Sequence, residues 1–293
     1  MRDLVDFIPD NYALIFNNSR VIKARLLGAK ASGGKIELLI IREVKNGVLT
    51  QIKGKVHIGS RLIFDANLSA EVIEISQNGD RIARFFHGDQ EIDFSRLIDI
   101  AEAIGFTPLP PYIKRAAESK DISRYQSCFA LVSGSVAAPT ASLHFDRNLL
   151  EKIRLRNSWA EITLHIGLGT FKGVETADIR DHKMHSEYFN ISDRAAQIIS
   201  GNKPILAIGT TVCRVVENYI RTGEIKGECD LFLRTDNPPR RVNALMTNFH
   251  LPRSTLFILF ASLVGIKTAK ELYAEAIAEK YRFYSYGDAM LIL

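Results

Sequence analysis

Three of the chain's seven histidines, His165, His182 and His185, fall inside one stretch, residues 163–187. It reads TLHIGLGTFKGVETADIRDHKMHSE: an alternating strand broken at Gly167 and Gly169, with His182, His185 and Glu187 arriving within six residues of one another. Imidazoles and carboxylates move protons near neutral pH. Glycines let a backbone turn tightly or close on a ligand. Comparable clusters recur elsewhere. Residues 133–140, SGSVAAPT, form a small-residue loop with His144 just beyond it. Gly209-Thr210-Thr211 follows an apolar run; the free N–H groups of such a helix start suit a carboxylate or phosphate, although an ordinary cap uses the same residues. Residues 248–255, NFHLPRST, repeat that plan and add the His250 imidazole and the Arg253 guanidinium. Tyr284-Ser285-Tyr286-Gly287-Asp288 precedes the last apolar run.

Three better-defined chemistries fit these residues poorly. His182 and His185, three apart, can share a helical face and bind zinc with Glu187, His165 or His250 as a third ligand, but neither HExxH nor CxxC occurs. An esterase-like hydrolase built on Ser135 lacks the second glycine of a nucleophile elbow. Gly167-Leu168-Gly169 has Lys172 where a dinucleotide fingerprint needs its third glycine.

The elements that must hold the clusters alternate. Asp146 is placed to cap a helix carrying Leu149, Leu150 and Ile153. Residues 159–166 read as a strand, 193–200 as a helix stopped by Gly201-Asn202, 205–208 as a buried strand, 211–221 as a helix and 242–249 as a strand. Ser254 or Thr255 can cap an apolar helix, and 268–282 reads as an amphipathic helix with Leu272, Tyr273, Ala276 and Ile277 on one face. Residues 1–19 add a short helical stretch and the apolar strand 13–16. This alternation predicts an α/β fold with a largely parallel sheet covered by helices, and ligands of such sheets sit beyond the carboxyl ends of the strands.

Residues 21–87 have a different texture. VIKARLLG, KIELLIIREV, VLTQIKGKV, RLIFDANL, AEVIEISQ and RIARFF are punctuated by Gly33-Gly34, Asn46-Gly47 and Asn78-Gly79. Asn-Gly between apolar runs signals a type I′ hairpin, and six short strands so joined predict a small antiparallel β-barrel. A helix over 93–104 ending at Gly105 follows, then the rigid connector Pro108-Leu109-Pro110-Pro111. The boundary expected there gives an α/β domain of residues 1–19 plus 108–293, interrupted by a barrel domain of 20–107.

With 46% apolar and 24% charged residues, the 293-residue chain has the make-up of a well-cored globular protein. No apolar run approaches the roughly twenty residues a bilayer span requires, residues 1–11 have no signal-peptide core, and three scattered cysteines suggest neither disulfide framework nor zinc knuckle. A cytoplasmic protein is expected. Residues 20–61 hold ten Lys or Arg against two Glu, whereas 62–110 hold three basic residues against nine acids. A basic face of the first kind attracts polyanions such as RNA, although a solvated strand surface accounts for it equally well.

Laid out in order, these clusters closely resemble the S-adenosylmethionine:tRNA ribosyltransferase-isomerases of queuosine biosynthesis. The matching blocks are FNNSRVIKARLLGAKASGGKIELL (16–39), PLPPYI (108–113), RYQ (124–126), GSVAAPTASLHF (134–145), TLHIGLGTF (163–171), HKMHSE (182–187), AIGTT (207–211), TNFHLPRSTL (247–256) and YRFYSYGDAM (281–290). The resemblance implies a β-barrel inserted into an α/β domain. It also implies transfer of the ribosyl part of S-adenosylmethionine to the aminomethyl group of a 7-deazaguanine in the tRNA anticodon. The ribose isomerises to an epoxycyclopentane, giving epoxyqueuosine, adenine and methionine. S-adenosylmethionine is then a consumed substrate, with no metal and no cofactor; tRNA is the macromolecular partner and a monomer is expected. Two departures stand out. Family members begin a few dozen residues earlier with a segment containing Ser-Arg-Leu-Leu, so either the start is misassigned or a sheet edge is left open. The family's Pro-Gly-aromatic segment before TNFHLP is replaced here by residues 234–241, RTDNPPRR.

The implied chemistry requires a base for the acidified 5′ C–H beside the sulfonium; His144, His165, His185, His250 and Asp288 are the candidates. The sulfonium suits electron-rich Tyr284, Tyr286 or Phe171, and the methionine carboxylate suits Thr210-Thr211, Arg214 or Arg253. Within the family blocks, Ser135, Pro139, Thr140, Gly167, Gly169, Thr170, His182, Glu187, Gly209, Asn248, Ser254, Thr255, Arg282 and Gly287 complete the expected substrate site. Two rival readings are a catalytically inactive tRNA-binding relative and the hydrolase above.

Overall fold

The computed structural model describes residues 3–76, 79–167, 169, 173–174 and 176–293. They form two units, one of residues up to Arg20 with 126–132 and 138–293, the other of 21–125 with 133–137. The Pro108–Pro111 run thus lies inside the smaller unit, which continues to Tyr125.

The larger unit is organised around Ala13–Asn17, a strand with all five residues buried. Ser158–Leu164 and Ile205–Ile208 flank it, both parallel to it, and Val242–Asn248 adds beyond Ile205–Ile208, parallel again. Three strands complete the sheet through antiparallel pairings: Glu187–Ile191 beside Ser158–Leu164, Lys226–Cys229 outside that and so aligned with the parallel four, and Ala289–Ile292 beside Val242–Asn248. This is the α/β architecture the alternation implied. The four parallel strands read as near-continuous apolar runs because helices cover both of their faces.

The helix Arg147–Arg156 starts where Asp146 accepts the Leu149 N–H at 2.8 Å. It packs Leu149, Leu150 and Ile153 with Leu14, Phe16, Leu206, Ile208 and Met246. Ser254 caps Thr255–Val264 through the Phe257 N–H at 3.1 Å. The last helix, Ile266–Ala278, buries Ala269, Tyr273 and Ala276, while Leu272 and Ile277, expected on that face, are 40% and 65% exposed. The stripe is turned because Tyr273 must both pack on Phe249 and Phe260 and reach the His250 N–H, 2.9 Å from its hydroxyl.

In the smaller unit Arg25–Lys30, Lys35–Val44, Gly47–Lys53, Arg61–Ile63, Leu68–Ile75 and Arg81–His87 pair antiparallel in a ring, closed by Gly47–Lys53 on Arg81–His87, with Gln90–Glu91 added at one strand. Alternation drives it: Ile36, Leu38 and Ile40 point inward, and their neighbours outward. The first Asn-Gly turn differs from expectation. The two loop residues are Lys45 and Asn46, and Gly47 already belongs to the next strand, at φ +150°. Glycine is needed there for close approach, since a Cβ would meet the Ala83 carbonyl oxygen at 2.7 Å. Asn78 of the second such pair lies outside the described residues.

Candidate active site

Ala13–Asn17, Ser158–Leu164, Ile205–Ile208 and Val242–Asn248 run the same way, so their carboxyl ends open on one edge of the sheet. Glu187 begins, and Asp288 precedes, antiparallel neighbours that start at that edge. The edge therefore reads Glu187, His165 to Gly167 with Gly169, Asn17-Asn18, Gly209 to Thr211, Asn248 to His250, and Tyr284 to Asp288, in the order of the strands. From the His165 strand to the Asn248 strand is three strand spacings, roughly 14–15 Å at Cα level. The candidates are spread along this edge from one side to the other.

At one end Glu187 Oε1 accepts the Gly167 N–H at 3.0 Å, and Glu187 Oε2 accepts from Arg214 Nη2. Both side chains of this pair are nearly sealed, while the Arg214 Nε and Nη1 donors are buried without a partner among the described residues. His165 continues the strand ladder through its N–H to the Tyr188 carbonyl at 3.0 Å, and its ring stacks on Tyr188 with centroids 6.1 Å apart. Burial lowers the His165 pKa, and its Nδ1 is buried with no hydrogen-bond partner among the described residues. His185 packs against Gly169 so closely that a Cβ there would come within 2.4 Å of the imidazole. His182 follows the short 3-10 turn Ile179–Asp181 and sets its ring edge on Phe232 at 5.5 Å. Neither His182 nor His185 lies on a helix, so the i, i+3 face expected for them is not formed. Among the described residues no group of three or more His, Cys, Asp or Glu is arranged to hold a metal ion. Thr170 and Phe171 lie outside the described residues.

At the middle, Gly209 takes φ +101° ahead of the helix Thr210–Thr222 and donates its N–H to the Met246 carbonyl at 2.8 Å. Thr210 and Thr211 are buried on the first turn, one turn before Arg214.

At the other end, the 3-10 turn Thr140–His144, preceded by Pro139, brings His144 near Asn248 and Asp288. Burial lowers the His144 pKa against the opposing influence of the Asn248 side chain and the Asp288 carboxylate, and its Nε2 is buried with no hydrogen-bond partner among the described residues. Asp288 is committed: Arg282 Nη2 lies 2.7 Å from one carboxylate oxygen, and the Arg282 backbone N–H lies 2.8 Å from the other. That pairing holds its carboxyl below the usual carboxylate range. His250 Nε2 shares a 2.7 Å hydrogen bond with Thr247 Oγ1, and burial pushes its pKa down to about 4. Asn248 donates to the Tyr284 carbonyl at 3.1 Å, tying this strand end to the loop that carries Tyr286 and Gly287. At Gly287 a Cβ would fall 2.4–2.5 Å from the Arg282 and Phe283 carbonyl oxygens.

Some candidates make contacts that hold the fold. Ser254 spends its hydroxyl on capping and on the Leu251 carbonyl, at 2.7 Å, and Thr255 is buried behind it. Arg253 sits exposed at φ +59°, its backbone carbonyl accepting the Val174 N–H at 2.8 Å. Ser135 belongs to the smaller unit, fully buried, with Oγ donating to the Ala137 carbonyl at 2.7 Å. Asn17, Asn18 and Thr163 stand at the same edge without having been among the expected site residues. Thr163 Oγ1 donates to Asn18 Oδ1 at 2.7 Å, and Asn17 Oδ1 accepts the Leu164 N–H at 3.0 Å. Two asparagines ending a wholly apolar strand were the available signal.

Known proteins resemble this chain along its length. The sequence model of a family described as "Queuosine biosynthesis protein" matches residues 1–292. The S-adenosylmethionine:tRNA ribosyltransferase-isomerase of Campylobacter concisus (strain 13826) is 50% identical over 293 residues, covering 100% of this chain and 86% of that protein. The protein of the same description from Sulfurimonas denitrificans is also 50% identical over 293 residues, covering 99% of this chain and 86% of the relative. Among solved structures, the crystal structure of an S-adenosylmethionine tRNA ribosyltransferase from Thermotoga maritima is similar at 30% identity and a TM-score of 0.49, covering 100% of this chain and 86% of the other.

Proposed function

The chain belongs to the queuosine-biosynthesis family of S-adenosylmethionine:tRNA ribosyltransferase-isomerases, and we propose that the sheet edge described above is where it takes the sulfonium nucleoside apart. The enzyme transfers the ribosyl part of S-adenosylmethionine to the aminomethyl group of 7-aminomethyl-7-deazaguanine in the tRNA anticodon. It isomerises the sugar to the epoxycyclopentane of epoxyqueuosine, and adenine and methionine leave. The observation that carries the site is the convergence of four parallel strand ends on one edge.

Removal of the 5′ proton needs a neutral base with an open lone pair. His165 and His144 meet that need: burial keeps each imidazole neutral, and each has a buried ring nitrogen without a partner among the described residues. They sit toward opposite sides of the sheet edge, so one can take the 5′ proton while the other assists adenine departure. Asp288, held by Arg282, and His250, bonded to Thr247, suit positioning roles. The helix start at Thr210-Thr211 offers backbone N–H groups to the methionine carboxylate. Arg214 is already paired with Glu187 and steadies the Gly167 turn from behind. The reading takes S-adenosylmethionine as a consumed substrate, with no metal or cofactor, and the enzyme as a cytoplasmic monomer. No helix among the described residues is long and apolar enough to cross a membrane. The hydrolase alternative gains nothing from Ser135, whose hydroxyl is buried.

Incubation with S-adenosylmethionine and tRNA bearing the aminomethyl-deazaguanine, followed by mass spectrometry of the nucleosides, tests the reading. Epoxyqueuosine with one adenine released per nucleoside is expected. Unchanged deazaguanine under conditions where the tRNA is bound would leave the inactive relative as the better description.

A further inference from the structure

The charge asymmetry of residues 20–110 is a difference between two ends of the barrel. The barrel strands are antiparallel, so the turns at residues 30–35 and 53–61 share one end with the strand ends at 75–76 and 79–81, and the turns at 43–47, 63–68 and 87–93 share the other. The first end carries Lys30, Lys35, Lys53, Lys55, Arg61 and Arg81 against Asp80, with Glu71 directly across from Arg61 on the neighbouring strand. The second carries Glu43, Asp65, Asp89, Glu91 and Asp93 against a single cation, Lys45. Closing the sheet has sorted a sequence-level imbalance into a polarised body.

The basic end is open to a ligand. Lys35, Lys53, Lys55 and Arg61 are exposed, and the turns at 30–35 and 53–61 contain no acid. Lys30 leans across the gap between these turns, with Nζ 3.4 Å from the Lys55 carbonyl. The acidic Glu37 on the adjoining outer face is paired with Arg25 at 2.8 Å. Ile58 stands 66% exposed in the middle of the cationic turn. Neighbouring ammonium groups fixed on short turns repel one another, and a phosphate backbone relieves that repulsion by displacing its own counterions. Such contacts set register and orientation without reading bases.

We propose that this end of the barrel binds the phosphate backbone of the tRNA substrate through Lys30, Lys35, Lys53, Lys55 and Arg61. The proposal rests on the tRNA-modifying reading above. The test compares the wild-type protein with K53E/K55E at the basic end and K45E at the opposite end, using a tRNA transcript with a guanosine at the anticodon wobble position. Affinity is measured from low to physiological salt. Wild type should weaken steeply as salt rises. K53E/K55E should lose about tenfold or more in affinity and reduce the slope of log K against log salt by about 1–2, because each phosphate contact contributes close to one to that slope. K45E should move neither quantity. In turnover assays on tRNA carrying the aminomethyl-deazaguanine, K53E/K55E should raise KM for tRNA and leave kcat and the KM for S-adenosylmethionine unchanged. Equal affinity and slope in wild type and K53E/K55E overturn the proposal while leaving the enzymatic reading intact. A wild-type protein that binds no tRNA overturns both.

Discussion

Arg214 donates to Glu187 at a place where both side chains are nearly sealed from solvent, 5% and 4% exposed. The same carboxylate holds the Gly167 N–H, so this one pair links the first turns of Thr210–Thr222 to the glycine turn after Ser158–Leu164. Removing one partner of a buried pair strands the other charge, at a typical cost of ~3–5 kcal/mol. Arg214→Met should therefore lower the urea midpoint sharply. Glu187→Met combined with it should recover much of the stability but not the turnover, because the Gly167 turn has lost its anchor. Recovery of full activity in the double variant would remove the pair from the site's supporting structure.

His165→Ala, His144→Ala and His185→Ala should each abolish or strongly reduce epoxyqueuosine formation while the folded state persists. Exchange of the 5′ proton of S-adenosylmethionine with deuterated solvent sorts them further. The variant lacking the base loses exchange, whereas one lacking only the acid for adenine departure retains it. Near-normal turnover in both His165→Ala and His144→Ala would take proton transfer away from these imidazoles.

Gly287 is enclosed by backbone carbonyls that no rotamer change can move aside. Gly287→Ala must open the turn that joins Arg282 to Asp288, and with it the bonds from Asn248 to the Tyr284 and Ser285 carbonyls. Overpacking of this sort costs about 1–3 kcal/mol. Turnover should fall with stability, read by thermal unfolding and by adenine release.

Stability should depend on pH through His250. Its folded pKa of about 4 lies below the ordinary value of 6.5, so the unfolded chain binds the extra proton between those limits. The contribution is complete above pH 6.5 and is lost as pH falls from 6.5 towards 4. His144 and His165, also lowered by burial, act in the same direction. Thermal unfolding of the wild type should shift downward across that window, and His250→Gln should flatten the dependence. An unchanged slope in the variant would contradict the assignment.

Ser135 separates the transferase from the hydrolase reading. Its hydroxyl is buried and bonds to the Ala137 carbonyl. Ser135→Ala should cost about 1 kcal/mol of stability, the usual worth of one hydrogen bond, and leave kcat and the KM for S-adenosylmethionine near wild type. Loss of chemistry without loss of folding would return the hydroxyl to the site.

Local physics was readable directly from the residues. Alternation marked the barrel strands, apolar runs marked the buried parallel strands, and Asp146 and Ser254 announced helix starts, because periodicity and capping act over a few residues. Family blocks marked the clusters and the reaction. What needed the folded chain is everything that depends on distant residues meeting. That Asp288 is engaged by Arg282 shows only in the fold. That Glu187 and Arg214 pair with each other, both nearly sealed, likewise shows only in the fold. Ser135 sits in the same loop as Pro139 and Thr140, yet it folds into the other unit. A carboxylate's partner, an imidazole's burial and the end of a barrel on which a lysine lands are set by strand order and direction, and a linear chain encodes those only through the packing of the whole.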